Sequence, residues 1–242
     1  MEAAREKRIN GGQPSGITPV VVAAHELKSP LALIRQLLLD LDSTPADHRE
    51  RQRLIDQMVQ VSEKALRLTS DITKAETAQQ ALFELSPVNP LTVCEDVVTE
   101  LERLYSLHNC SLKIGRQRHI PAVVANRDLL RRILLNFADN ALHYADLDGV
   151  VELQAHLIRE RQTVRLSVRD YGPHLPIGQW RSMLRSLGEQ QPVHARPQSS
   201  GLGLYISHQF ASAMNGRIGA TRHRDGASFF VELPVSRQLS LL

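Results

Sequence analysis

Val20, Ala24, Leu27, Leu31, Ile34, Leu38 and Leu41 recur at alternating steps of four and three. That is the heptad rhythm of a helix burying one narrow seam. The segment from Asp42 to Pro45 breaks it, because proline lacks a backbone donor and pushes its predecessor out of the helical region. A second seam follows in Leu54, Met58, Val61, Ala65, Leu68, Ile72 and Ala75. Two helices of similar length with a short connection predict an antiparallel hairpin. A hairpin of about 60 residues buries too little apolar surface to stand alone. Pairing two copies into a four-helix bundle solves this, so a homodimer is expected. The alternative is a helical arm packed on the chain's own second domain. Continuation of each seam through the whole helix favours the dimer.

The remaining sequence has a different architecture, and 242 residues leave room for a second domain. Residues 1–18 carry four of their positions as Gly or Pro and read as a flexible lead-in. The hairpin occupies 19–84, and Pro87 and Pro90 mark a linker at 85–90. Beyond it the pattern predicts helices at 91–107, 127–145, 179–187 and 202–214. Strands are expected at 110–114, 122–125, 150–158, 163–169, 217–221 and 227–233. Mostly hairpin-connected strands among helices predict an α+β domain over 91–236, with one sheet and helices on one face. Residues 237–242 read as a tail. No apolar run approaches the roughly 18 residues of a membrane-spanning helix. The net charge of +3 is too small to imply nucleic-acid binding. Cys94 and Cys110 form no CxxC pair and are expected to be small buried thiols.

Four clusters carry chemistry. His25 follows the seam position Ala24 and is expected on the flank of the bundle, beside Glu26 and one turn before Ser29. Pro30, inside the helical pattern, leaves the Glu26 carbonyl without its helical donor at a cost of about 3 kcal/mol. A neutral imidazole can attack while a neighbouring carboxylate takes its proton. Taken alone, a plain solvent-exposed histidine is the stronger reading. On the apolar helix, Asn140 and His143 lie about 40° and about 20° from Asn136 around the axis, so the three share a face. Stacked asparagines offer neutral oxygens to a hydrated hard cation and its phosphate. They are equally two ordinary polar positions on an exposed face. Asp170-Tyr-Gly-Pro-His-Leu-Pro176 ends a strand, where a carboxylate could accept an exocyclic amine and Gly172 lets the backbone approach. An Asp-initiated turn explains it as simply. Finally, Ser199-Ser-Gly-Leu-Gly-Leu204 opens a helix, a place where free backbone donors suit phosphate.

In order and spacing, HELKSPLALI at 25–34, NFADNALHYA at 136–145, DYGPHLP at 170–176 and SGLGL at 200–204 resemble the H, N, G1 and G2 boxes of sensor histidine kinases. The closing GRIGATRHRDGASFFVELP resembles that family's last two strands, and the likeness spans residues 20–234. It implies a dimerisation and phosphotransfer hairpin followed by a GHKL α/β-sandwich that binds ATP. His25 would accept the γ-phosphoryl group, with Glu26 as general base. Asn136 and Asn140 would hold Mg²⁺ and phosphates, with His143 beside them and Tyr144 against the nucleotide. Asp170 would bind the adenine amine beside Gly172, and Gly201, Leu202, Gly203 and Leu204 would contact phosphates. The phosphoryl group would pass to an aspartate in the receiver domain of a response regulator. Ser29, where threonine is usual, keeps a hydroxyl for phosphatase activity. His143 stands where a basic residue is common, while His174 and Ser199 replace glycines of the G1 and G2 patterns and bear on ATP affinity. These replacements support an alternative: a degenerate scaffold or phosphotransfer module that binds a response regulator without turning over ATP. The resemblance implies a cytoplasmic core, tethered to a membrane if the chain is part of a larger receptor.

Overall fold

The computed structural model describes residues 19–43, 48–78, 83–116, 119–142, 149–173, 176–187 and 202–237. Helix α1 (Pro19–Ser43) runs unbroken past Pro30 and packs along α2 (His48–Ala78) as a hairpin. The Ser62, Thr69 and Thr73 hydroxyls of α2 donate back to carbonyls four residues earlier, which keeps these polar groups satisfied within the helix. Leu37 is buried, whereas the seam residues Leu31 and Leu38 remain 60% and 52% exposed in the single chain. Leu33, Leu39, Ile55, Val59 and Leu66 are exposed as well. Among the described residues no helix is long and apolar enough to cross a membrane.

Residues 85–90, expected as a linker, instead hold strand β1 (Ser86–Val88). It pairs antiparallel with β3 (Val123–Ala125), Val88 opposite Val123. Helix α3 (Pro90–Leu107) starts with proline at its first position, and Asn89 accepts from the Leu91 amide at 3.0 Å. Strand β2 (Ser111–Ile114) follows. Helix α4 (Arg127–Leu142) is capped by Asn126, whose Oδ1 accepts from the amides of Asp128 and Leu129, each at 3.1 Å. Its expected last turn, 143–145, lies outside the described residues. Strands β4 (Val150–Ile158) and β5 (Thr163–Asp170) are joined by a 3₁₀ turn that closes with Gln162 at φ 49°. Helices α5 (Ile177–Ser186) and α6 (Leu202–Ala213) precede the hairpin of β6 (Arg217–His223) and β7 (Gly226–Pro234).

There are two sheets rather than the single one expected. Besides the β1–β3 pair, a five-stranded sheet has the order β2-β4-β5-β7-β6. β2 and β4 run parallel, joined by a crossover through β3 and α4, and the other neighbours are antiparallel. Alternation fixes the faces. Val151, Leu153, Ala155, Val164, Leu166, Val168, Phe229, Val231 and Leu233 form one core with the buried residues of α3, α4 and α6. The other face carries Arg165 opposite Glu232 opposite Arg217, and Ser167 opposite Phe230 opposite Gly219. Gly219 gives the Phe230 ring its place, since a Cβ there would stand 2.3 Å from Cζ. Arg165 stacks its guanidinium over the same ring at 4.0 Å.

The C-terminal part of α2 rests on this domain. Leu68 and Ile72 pack against its core, and buried Asp71 pairs with Arg132 of α4. Arg132 also reaches Ser70 Oγ at 3.4 Å, and Lys74 pairs with Asp128. The hairpin thus takes the arm-like arrangement at one end, packed on the chain's own second domain. Its upper part leaves an apolar stripe open.

Candidate active site

Helix α1 carries His25, Glu26 and Ser29 on consecutive turns of continuous helix. The side chains of His25 and Glu26 lie outside the described residues, and Ser29 is exposed. Pro30 lies one turn beyond Glu26 within α1.

On α4, Leu129, Leu130, Ile133, Leu134, Phe137, Ala138 and Ala141 turn into the core. The same periodicity leaves Asn136 and Asn140 half-buried on another face. Asn136 Nδ2 donates to the Gly203 carbonyl at 3.3 Å and meets Ser207 Oγ at 3.4 Å. These bonds bring the asparagine helix directly against the glycine-marked start of α6, 67 residues later. Tyr105 of α3 braces α4 by donating to the Ala138 carbonyl at 2.8 Å. Burial and the nearby charge of Asp139 push its phenol pKa upward, so the hydroxyl stays protonated and able to donate.

Asp170 closes β5 and is only 3% exposed. Its Oδ1 accepts from the amides of Ala227 at 3.1 Å and Gly172 at 3.4 Å. Burial raises its pKa, and these two backbone bonds, with the Arg169 charge, oppose the rise. The approach of β7 depends on Gly226, at φ 125°. Arg169 pairs with Asp225 of the same turn at 2.5 Å, which ties the β6–β7 hairpin to the end of β5. Its guanidinium stacks 4.6 Å from the ring centre of Tyr171, whose hydroxyl bonds Glu152 at 3.1 Å. Phe137, next to Asn136, lies 5.9 Å from Phe229, two residues beyond Ala227 on β7.

Of the remaining expected site residues, Gly172 is buried beside Asp170, Gly203 lies against Asn136, and Leu204 is buried in the first turn of α6. Leu202 begins α6, but its side chain lies outside the described residues, as do His143, Tyr144, His174, Ser199 and Gly201. Sequence reasoning missed Gly226, Ala227, Ser207, Tyr105 and the Arg169–Asp225 pair. The Asp-Gly turn at 225–226 signalled the first two.

This arrangement has known counterparts. The family described as histidine kinase-, DNA gyrase B- and HSP90-like ATPases matches residues 125–237, from the end of β3 through β7. Those residues are an ATPase domain of that family. With the helical hairpin ahead of it, the arrangement is similar to the catalytic cores of sensor histidine kinases. The core is similar to the adaptive-response sensory kinase SasA of Synechococcus sp. (strain CC9902), 27% identical over 216 residues, 88% of this chain and 55% of that protein. The chain thus spans little more than half the length of such relatives. The crystal structure of full-length ShkA in complex with AMPPNP superposes with a TM-score of 0.61 at 25% identity, covering 93% of this core and 48% of that chain. The histidine kinase ThkA in complex with the response regulator protein TrrA shares the fold, with a TM-score of 0.61 at 19% identity, covering 90% and 61%.

Proposed function

We propose that the core is an ATP-dependent protein-histidine kinase that phosphorylates its own His25 and passes the phosphoryl group to a response regulator. The observation that supports this best is the contact of Asn136 with Gly203. It joins two of the phosphate-side motifs in a domain of an ATPase family, behind a helix that carries HELKSP. The neutral His25 imidazole would attack the γ-phosphorus. The new N–P bond forms as the bond to the β–γ bridging oxygen breaks, ADP leaves, and Glu26 takes the ring proton. Protein groups act in such transfers by positioning and charge neutralisation.

Asp170 would accept the adenine amine, with Gly172 and Tyr144 against the base. Gly201, Leu202, Gly203, Leu204, Asn140 and His143 would surround the phosphates. The amide oxygens of Asn136 and Asn140 are the neutral hard donors that a hydrated Mg²⁺ takes, and Asn136 Oδ1 makes neither of that amide's bonds to α6. Mg²⁺, when bound, would neutralise phosphate charge. Residues 19–84 would serve as the dimerisation and phosphotransfer hairpin, and the catalytic domain, expected at 91–236, would extend back to take in β1 at Ser86–Val88. The exposed Ser29 hydroxyl would orient water for dephosphorylation of the partner's aspartate. The ThkA complex with a response regulator supports a receiver domain as that partner, and the core would work in the cytoplasm as a homodimer.

Incubation with γ-labelled ATP and Mg²⁺ tests the assignment. Acid-labile, alkali-stable label should appear and be abolished by His25→Gln. Label that survives the substitution, or no label at high ATP, defeats it, and the second result leaves the scaffold reading.

A further inference from the structure

We infer that Ser207 of α6 is a positioning residue that fixes the metal-facing orientation of the Asn136 amide, an inference that rests on the proposed nucleotide site. Ser207 is 0% exposed in a helix whose neighbouring buried residues are Leu204, Ile206, Phe210 and Ala211. A hydroxyl in such surroundings is costly unless it is hydrogen-bonded. Its partner is Asn136 Nδ2, at 3.4 Å, across the junction between α6 and α4.

Chemistry assigns the two ends of that amide. The Gly203 carbonyl only accepts, so the group 3.3 Å from it must be the NH₂ and not the oxygen. The hydroxyl of Ser207 takes the second hydrogen of the same nitrogen. Two tethers on one nitrogen hold the amide plane, and Oδ1 becomes the end offered to the cation. With Ser207 removed, a single tether to Gly203 remains and the amide can swing about its last torsion. The predicted consequence is specific. Contacts to the base and the backbone cradle of the phosphates stay intact, while the cation-dependent share of nucleotide affinity falls.

The test is calorimetric titration of the whole chain with ADP, in Mg²⁺ and separately in EDTA, comparing the unmodified chain with Ser207→Ala, Asn136→Ala and the double variant. Ser207→Ala removes one oxygen and leaves the fold. It should weaken binding in Mg²⁺ roughly three- to tenfold, the worth of one neutral hydrogen bond. Binding in EDTA should stay within about twofold. On the Asn136→Ala background the serine substitution should cost nothing further in Mg²⁺. Equal losses in Mg²⁺ and EDTA would make Ser207 merely structural and overturn the inference. So would a Ser207→Ala chain that binds like the unmodified one, or a full loss retained on the Asn136→Ala background. An unmodified chain that binds no ADP under either condition would instead sink the proposed function, and this inference with it.

Discussion

Gly226 lies so close to Asp170 that a Cβ on it would stand 2.3 Å from the Asp170 carbonyl oxygen and 2.7 Å from Oδ1. Its φ of 125° belongs to glycine, and the space is filled by the strand end that it approaches. That approach brings the Ala227 amide onto the Asp170 carboxylate. A backbone donor 57 residues away therefore holds one oxygen of Asp170.

Gly226→Ala is the direct probe of this packing. The added methyl must displace either β7 or the end of β5, and φ is unfavourable for alanine as well. The domain should lose about 1–3 kcal/mol of stability in urea. ADP affinity should fall more than tenfold (about 1.4 kcal/mol) even where the domain remains folded. Unchanged affinity in a folded variant would show that the β7 contact does not set the Asp170 carboxylate.

Asp170 itself separates stability from binding. Burial raises its pKa, so the native state holds its proton more tightly than the unfolded chain does. A carboxyl with a raised native pKa contributes stability below the unfolded pKa and loses it as pH rises through the native value. At neutral pH the buried charge is thus a cost. Asp170→Asn keeps an oxygen acceptor for the Ala227 and Gly172 amides and removes that charge. It should be at least as stable as the parent at pH 7, with the advantage shrinking as pH falls toward the ordinary carboxylate range. Because an amide NH₂ facing the adenine amine offers a donor to a donor, nucleotide binding should be lost. Denaturation midpoints across pH and an ADP titration check the two halves separately.

What the sequence made legible was local. The seams of α1 and α2, the apolar helical pattern of α4 and the alternation in β4 and β5 each arise from residues within one element. Their boundaries follow within a few residues. Contacts between distant segments were not legible. Ser86-Pro87-Val88 is three residues long and contains a proline, and it becomes a strand only because Val123–Ala125 passes beside it. The parallel pairing of β2 with β4 depends on a crossover, which no turn signal announces. The candidate site divides in the same way. Asn136, Asp170 and Gly203 stood out by residue type and spacing. Gly226 and Ser207 act through neighbours more than 50 residues away, and nothing in their own segment pointed to those neighbours.

Glu232 offers a test of the opposite sign. Its side chain is 2% exposed among Arg161, Arg165 and Arg217 on the outer face of the sheet. Burial alone would raise its pKa, but hydrogen bonds from Arg165 and Arg217, and their charges, outweigh burial and hold it below the usual value. A carboxyl with a lowered native pKa contributes stability above the unfolded pKa and loses it as pH falls through the native one. Glu232→Gln should therefore cost about 1.5–3 kcal/mol at pH 7. The difference from the parent should close as the pH drops below the ordinary range for glutamate. A penalty that does not change with pH would mean that shape, not charge, makes Glu232 fit there.

The exposed seam of α1 carries the last prediction. Leu31 and Leu38 are seven residues apart, two turns along one face, and both remain more than half exposed. Burying a leucine fully contributes about 1.5–3 kcal/mol, so covering the exposed half of each gains on the order of 1 kcal/mol per side chain. Two-fold symmetry counts every such contact twice, and Leu39, Ile55, Val59 and Leu66 extend the apolar surface. Together these gains are of the size needed to hold two hairpins together at micromolar concentration. Leu38→Glu would bring two carboxylates toward each other in that seam, and Leu31→Glu/Leu38→Glu four. Light scattering should show the parent as a dimer and the double variant as a monomer. ADP affinity should be unchanged, because Asn136, Asp170 and Gly203 lie on the ATPase domain and not on this stripe. A double variant that stays dimeric would move the interface elsewhere on the chain. A monomer that also loses ADP binding would instead indicate that the substitutions had unfolded the hairpin and the α2 contact through Asp71 and Arg132 with it.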